Sequence, residues 1–265
     1  MQKILFTGSG GVGSQVIWNC LKKKYNLLFG DEFVEKIHPD IPKINRVKLL
    51  NCNNKNYYRQ LVKFCNNHKI NFLVPGIDEE LLKIKILEKK FDTTKLFMPN
   101  QKFIVNTLDK KLFYDLCKQL DIQTPKTYLL KSNNMKLKKN IVLKPRFGRG
   151  SKGIYFLKKE LELKRIKSYI LGLKDDYIAQ DYIEGQEYTV VIYNNPNDNQ
   201  SFFSPILLSE KKGISIAGKI KFDKKIINFC KMVNRNFKNQ LIYNIQLIKT
   251  KSGKIEVIEI NPRVS

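Results

Sequence analysis

Residues 141–156 read IVLKPRFGRGSKGIYF. An apolar run ends in Lys144-Pro145, a loop of glycine, serine and basic residues follows, and a second apolar run resumes at Ile154. Glycines let backbone N–H groups approach a polyphosphate, and Lys144, Arg146 or Arg149 supply positive charge. A P-loop would lead from its glycines through a Gly-Lys-Ser/Thr into a helix. Here the loop returns to a strand, so the stretch reads as a hairpin able to close over phosphates, or else as an ordinary basic turn.

Downstream, YIAQDYIEGQEYTV (177–190) is a strand, a turn at Glu184-Gly185 and a second strand. Backbone groups at such a joint can read an adenine edge, and a carboxylate just beyond, Glu187, can accept ribose hydroxyls. Taken alone, the segment fits a hairpin with surface acids equally well. Further on, LIYNIQLIKT (241–250) and KIEVIEINPR (254–263) flank KSGK. If Ser252-Gly253 is a two-residue turn, Lys251 pairs with Lys254, and counting outward places Gln246 directly opposite Glu259. Directly opposed residues share a face, as do residues two apart, so Gln246, Glu259 and Asn261 form one oxygen-rich cluster. Hard Mg²⁺ prefers such ligands together with substrate phosphates.

Upstream, DKKLFYDLCKQLDIQTPKT (109–127) reads as a helix opened by Asp109, with Lys110 at its N-terminus beside an anion-friendly dipole. Before it, apolar runs alternate with helical stretches: KILFT, GSQVIWNCLKKK, YNLLFG, NKNYYRQLVKFCNNH, INFLVPG and DEELLKIKILEKK. This βαβαβα order implies a parallel sheet with helices on its faces. After Thr127 strands dominate, interrupted by helices expected around Leu161–Gly172 and Asp223–Phe237. The fold class is therefore α/β, a Rossmann-like parallel sheet over residues 1–107 followed by an α+β domain over 108–265.

The first turn carries Gly8-x-Gly10-x-x-Gly13 with Asp31 after the next strand, the fingerprint of a dinucleotide site. Tyr114-x-x-x-Lys118 has the spacing of a short-chain dehydrogenase dyad. An NAD(P)-dependent oxidoreductase is thus one reading, but it leaves the second half of the chain without a role. Asp78 and Glu79, in VPGIDEEL (74–81), lie at the carboxyl end of a strand, where ligands meet open α/β sheets. Asp78 is equally placed to cap the helix that follows.

The 265 residues carry a formal net charge of +25. The basic residues are mostly lysines scattered over separate elements, alongside abundant asparagine and isoleucine, as an AT-rich coding sequence would give. No RNA-binding aromatic motif and no basic tail occurs, so nucleic acid is not an expected partner. A non-catalytic nucleotide- or polyanion-binding protein is the alternative that the charge favours. No apolar run approaches the roughly 20 residues of a membrane span, and the N-terminus has no signal-peptide pattern, which points to the cytoplasm. The five cysteines are widely spaced, and neither histidine lies near a cysteine cluster, which argues against disulfides and zinc.

Together, DKKLFYDLCKQLDIQTPKT, VLKPRFGRGSKGI, QDYIEGQEYTV, NIQL and IEINPR resemble, in order and spacing, the ATP-grasp superfamily, most closely its carbamoyl-phosphate-synthase large-chain-like branch. The resemblance covers nearly the whole chain. It implies a pre-ATP-grasp Rossmann-like domain, which does not usually bind NAD, and an ATP-grasp domain whose lid spans about 127–182. It also implies that ATP is bound with Mg²⁺ or Mn²⁺. Lys110 and Lys144 would contact phosphates, with Arg149, Gly150, Ser151 and Gly153 in the loop that closes over them. Gln180 and the backbone of Asp181, Tyr182 and Ile183 would hold adenine, and Glu187 the ribose. Gln246, Glu259 and Asn261 would bind the metal, and Arg263 would meet the γ-phosphate. The implied reaction activates a small-molecule carboxylate as an acyl phosphate for attack by an amine. Three features depart from the pattern. Gln180 stands where many relatives have glutamate. The strands after Ser204 offer Lys211, Lys212 and Lys219 where an arginine is usual, leaving Lys219 as the basic catalytic candidate. The sequence stops at NPRVS, so the resemblance is to a C-terminally shortened member; a homodimer or a partner subunit would be one way to complete it.

Overall fold

A computed structural model describes residues 1–11, 13–130, 140–148, 150–158, 162, 165–166, 176–212 and 214–264. They form two compact units. The first comprises 1–104, 240–242 and 262–265, and the second 105–239 and 243–261. The sequence suggested a cut at 107. The division instead falls inside a helix, Gln101–Leu108, that the sequence reading did not anticipate, and two later segments return to the first unit.

The first unit is built on a five-stranded parallel sheet, in the order β3-β2-β1-β4-β5. The strands are β1 (Lys3–Thr7), β2 (Asn26–Asp31), β3 (Arg46–Lys48), β4 (Phe72–Val74) and β5 (Lys95–Leu96). Helices α1 (Gly13–Leu21), α2 (Tyr57–Asn67) and α3 (Asp78–Ile86) alternate with them. Sheets covered on both faces take near-continuous apolar strands, and β1 supplies Ile4, Leu5 and Phe6, all buried. Phe6 stacks on Phe29 at 5.4 Å, and the cluster extends through Leu27, Ile37, Ile41 and Val74.

The second unit opens with α5 (Lys110–Gln119), α4 being the boundary helix Gln101–Leu108. It holds two sheets. A four-stranded sheet has the order β6-β9-β7-β8, with β6 (Thr127–Leu129), β7 (Ile141–Pro145), β8 (Tyr155–Leu157) and β9 (Tyr177–Asp181), all pairs antiparallel. One face packs Ile141, Leu143, Leu157, Tyr177 and Ala179 into a core. The helix expected over Leu161–Gly172 lies, but for three residues, outside the described residues.

A five-stranded sheet has the order β12-β11-β10-β13-β14. Its strands are β10 (Gln186–Asn194), β11 (Ser201–Lys212), β12 (Ile214–Ile220), β13 (Ile242–Lys249) and β14 (Ile255–Asn261). Helix α6 (Lys224–Asn234) buries Ile226, Cys230 and Val233, and its Asn234 Oδ1 accepts from Tyr243 Oη at 2.5 Å. Asp223 caps it through the amides of Lys225 and Ile226. No helix among the described residues is long and apolar enough to cross a membrane. None of the five cysteines forms a disulfide among the described residues; burial pushes Cys65, Cys117 and Cys230 up to about 12.

Candidate functional site

The face of the four-stranded sheet opposite its core carries a row Thr127–Gln180–Val142–Phe156, one residue from each strand. Lys144 lies one row along, opposite Ile178, and so is diagonal to Gln180 on the same face. Its Nζ donates to Gln180 Oε1 at 2.8 Å, and Gln180 Nε2 donates to Thr127 Oγ1 at 3.0 Å. All three side chains are buried. The chain of bonds sets the Gln180 amide in one orientation and holds the ammonium at the end of β7, where the glycine-rich loop begins. Thr127 could not have been singled out from its sequence position. Neither could Phe156, whose exposed ring meets that of Tyr182 edge-on at 6.0 Å.

The loop is anchored at its first half. Asp109 caps α5 through the amides of Lys111 and Leu112 at 2.9 and 3.2 Å, and it also grips Arg146 with a fork. Arg146 Nε lies 2.9 and 3.0 Å from the two carboxylate oxygens, and its terminal nitrogen 2.8 Å from one of them. Burial pushes the Asp109 carboxyl up, but the bonds from Arg146 and the two amides outweigh it and leave the group below its ordinary range. Arg146 therefore serves the protein's own structure, its guanidinium engaged by the Asp109 and Asp176 carboxylates. The Lys110 amide donates to the Arg146 carbonyl at 3.1 Å, and Lys110 Nζ to the Gly148 carbonyl at 2.8 Å. Gly148, Gly150 and Gly153 have φ of 120°, 68° and 69°, and Ser151 joins them at 56°. A Cβ on Gly153 would sit 2.7 Å from Tyr177 Oη. Such left-handed backbone can turn successive N–H groups toward an anion. Arg149 lies outside the described residues.

At the joint after β9, the Asp181 amide donates to the Lys126 carbonyl at 2.9 Å and the Tyr182 amide to the Asn140 carbonyl at 3.1 Å. Of the 181–183 backbone expected to hold adenine, the Asp181 and Tyr182 amides are thus engaged by the protein itself. Gly185 brings the chain against β13. A Cβ there would meet the Lys249 carbonyl and come within 2.6 Å of Ile248 Cγ2, so only glycine lets Glu187 enter β10 at this point.

The β13–β14 hairpin places Gln246 opposite Glu259 and Asn244 opposite Asn261. It does so by a different route from the one the sequence suggested. Thr250, not Lys251, pairs with Lys254, leaving a three-residue loop with Gly253 at φ 86°. The register is then one residue off, as Leu247 opposite Val257 shows, until a bulge at Ile258 restores it. Without that bulge Glu259 would point to the face of Ile255 and Val257; bulges commonly re-aim a side chain in this way. Asn261 Nδ2 donates to Asn244 Oδ1 at 3.1 Å, which leaves Asn261 Oδ1 as the open acceptor. Glu259, Gln246 and Asn261 are half-buried and present one carboxylate and two amide oxygens. That donor set fits a hard divalent cation whose other ligands are phosphate oxygens and water. No group of three His, Cys, Asp or Glu side chains among the described residues could hold a metal alone. Lys219 is exposed on β12, at the opposite edge of the sheet, three strand spacings or about 14 Å from β13. The strand order does not bring it to the oxygen face.

In the first unit the glycine turn is occupied by the protein itself. Asp31 accepts from the Gly10 amide at 2.7 Å and the Phe33 amide at 2.9 Å, instead of facing a ribose. Asp78 is not the cap of α3. Glu80 takes that part, accepting from the Gly76 and Ile77 amides at 3.2 Å each, and from Thr7 and Tyr57 hydroxyls. Glu80 is fully buried, which raises its carboxyl above the ordinary range despite these donors. Asp78 instead pairs with Arg263.

The family model for the ATP-grasp domain matches residues 107–265. The chain belongs to the ATP-grasp family. No curated protein is detectably similar to it in sequence. Solved structures share the ATP-grasp fold along the whole chain. The N5-carboxyaminoimidazole ribonucleotide synthetase of Thermotoga maritima superposes with a TM-score of 0.71 at 19% identity, over 99% of this chain and 69% of its own. The L-amino acid ligase of Bacillus licheniformis gives 0.73 at 14%, over 100% and 68%. D-alanyl-alanine synthetase A of Vibrio cholerae gives 0.68 at 16%, over 98% and 88%.

Proposed function

We propose that this ATP-grasp protein is an ATP- and Mg²⁺-dependent ligase that joins a small-molecule carboxylate to an amine, within the carbamoyl-phosphate-synthase-like branch. The observation that carries the reading is the oxygen face of Gln246, Glu259 and Asn261, built in the same unit as the Lys144–Gln180 face and the Lys110-anchored loop. The ligase names of the structural neighbours agree with it.

In this reading the Ile183 N–H donates to the adenine ring, the exposed rings of Phe156 and Tyr182 offer it an apolar wall, and Glu187 accepts from the ribose. Lys144 and Lys110 hold phosphates, and the amides of Gly150, Ser151 and Gly153 cover them. Glu259, Gln246 and Asn261 would hold Mg²⁺, which neutralises charge on the transferring phosphoryl group. A substrate carboxylate oxygen bonds to the γ-phosphorus as the bond to ADP breaks. The amine nitrogen then bonds to the acyl carbon, phosphate leaves, and the amine gives up a proton. No side chain need form a covalent intermediate.

The test is a thermal-shift titration of the wild type and E259A with Mg-ATP, NAD and NADP, followed by assay of ADP release with panels of carboxylates and amines. A ligand at 100 times its Kd stabilises by about 2.7 kcal/mol. A magnesium-dependent shift with ATP, lost in E259A, and ADP release that needs both substrates are expected. A shift with NAD alone would refute the reading. ATP binding with no turnover on any panel would leave the protein a nucleotide binder.

A further inference from the structure

We propose that a basic groove between α2 and the segment after β3 is a docking site for an acidic peptide segment of a partner protein. The groove lies wholly within the first unit and needs no nucleotide.

The groove has a volume of about 410 Å³ and is lined by Leu50, Asn56, Arg59, Gln60 and Lys63. It is held open by the protein's own bonds. Gln60 Oε1 accepts from the Leu50 amide at 2.8 Å and its Nε2 donates to the Lys48 carbonyl at 3.3 Å, which pins the segment after β3 to α2. In the turn that follows, Asn51 Oδ1 accepts from the Asn53 amide at 2.8 Å and Asn54 Oδ1 from the Asn56 amide at 2.9 Å. Leu50 stays exposed. Arg59 and Lys63 stand one turn apart on α2, both exposed. Among the described residues no ion pair engages either of them. The reason is visible in the sequence: from Ile41 to Ile77 there are seven lysines and arginines and no aspartate or glutamate. Glu32, which reaches this surface, accepts from Asn51 Nδ2 at 2.7 Å. Asn56, at the N-terminus of α2, makes no side-chain cap, so the positive end of the helix dipole adds to the two cations.

Like charges four residues apart oppose the helix that carries them. A carboxylate placed on each removes that opposition. Two carboxylates one helical turn apart, or two residues apart along an extended chain, repeat at about 5–7 Å and so match the two cations. An apolar side chain beside them covers Leu50. Nucleic acid suits the groove less well. Its affinity comes from many phosphate contacts and from bases stacking on rings, whereas the lining offers two cations and no ring. A merely solvated basic surface is the competing account, since the whole chain carries +25. The two differ in whether binding is confined to this groove and needs its leucine.

A fluorescein-labelled peptide, Glu-Glu-Leu-Glu-Glu-Leu-Glu-Glu, would be titrated by fluorescence anisotropy at low salt with wild type, R59E/K63E, L50S and K23E/K24E. The last makes the same change in net charge at exposed lysines outside the groove. R59E/K63E should weaken binding about tenfold, and K23E/K24E by less than about twofold. L50S, and a peptide with serine in place of leucine, should each weaken it about threefold. If R59E/K63E does not fold, R59Q/K63Q is read instead, with a loss of about threefold expected. Equal weakening by R59E/K63E and K23E/K24E would overturn the site, since diffuse charge would then explain the binding. So would no binding to the wild type, or no effect of either leucine. Tighter groove-dependent binding of an oligothymidylate of the same length would assign the groove to nucleic acid and overturn the peptide. Self-association lost in R59E/K63E, with no peptide bound, would assign it to a second copy of the chain and overturn the peptide equally.

Discussion

Asp109 does two jobs at once, and substitution can separate them. In D109A, α5 loses its cap, which costs about 1 kcal/mol. Arg146 also loses a bidentate partner. Removing one partner of a fully buried pair costs about 3–5 kcal/mol, but Arg146 keeps one quarter of its side chain exposed and a second carboxylate, Asp176, at 3.3 Å. About 1–2 kcal/mol is then reasonable for that part, and about 2–3 in total. D109N keeps a competent cap, so it should lose only the Arg146 share. Urea unfolding of both variants, read as the midpoint shift at constant m, measures the difference. Because native bonding holds the Asp109 carboxyl below its ordinary value of 3.8, the pair's contribution is complete above that pH and disappears as pH falls through the lower native value. The gap between D109A and the wild type should therefore narrow in acid toward the share of the cap, which a protonated carboxyl still supplies. Equal losses in D109A and D109N, or a gap between D109A and the wild type that does not narrow as pH falls, would refute the division of labour. The same variants should weaken Mg-ATP binding, since the Arg146 carbonyl and Gly148 are what hold Lys110 in place.

G153A should cost about 1–3 kcal/mol and loosen nucleotide binding, because φ of 69° is strained for alanine and its Cβ would press on Tyr177 Oη; urea unfolding checks the first and ATP titration the second. K110A should cut affinity for Mg-ATP about tenfold or more while moving stability by less than about 0.5 kcal/mol, measured by calorimetric titration and melting. Glu80 binds its proton more tightly in the native state, so stability should fall as pH rises from about 4.5 to the raised native value. E80Q, whose amide oxygen can still accept from Thr7, Gly76 and Ile77 while its NH2 meets the Tyr57 hydroxyl, should cost about 1–2 kcal/mol and abolish that slope in pH-dependent unfolding.

The architecture was legible because its signals are local. Alternating apolar and amphipathic stretches located β1, β2, β4 and their helices, and Asp109 announced α5. The short β3 and the helix Gln101–Leu108 carry little of either pattern and escaped. Gln246 and Glu259 were paired correctly through two compensating features, a longer loop and a bulge, neither of which leaves a mark in residue spacing. The glycine turn was legible as a motif but not as a site, since only the fold shows Asp31 closing on Gly10. Glu80 was indistinguishable from its acidic neighbours until burial set it apart. Arg146 and Asp109 are 37 positions apart, and Asp78 and Arg263 are 185. No periodicity spans such distances.

The Asp78–Arg263 separation also bears on how the chain acquires its shape in time. Closing a flexible loop of that length from the unfolded state carries an entropic cost with a length-dependent part of about 4–5 kcal/mol. One ion pair and the packing of Val264 do not recover that. The contact is therefore expected to form only after the intervening residues have ordered and drawn the two points together. It belongs to the late side of the folding barrier. Loosening it should leave the refolding rate almost unchanged and appear in full as faster unfolding.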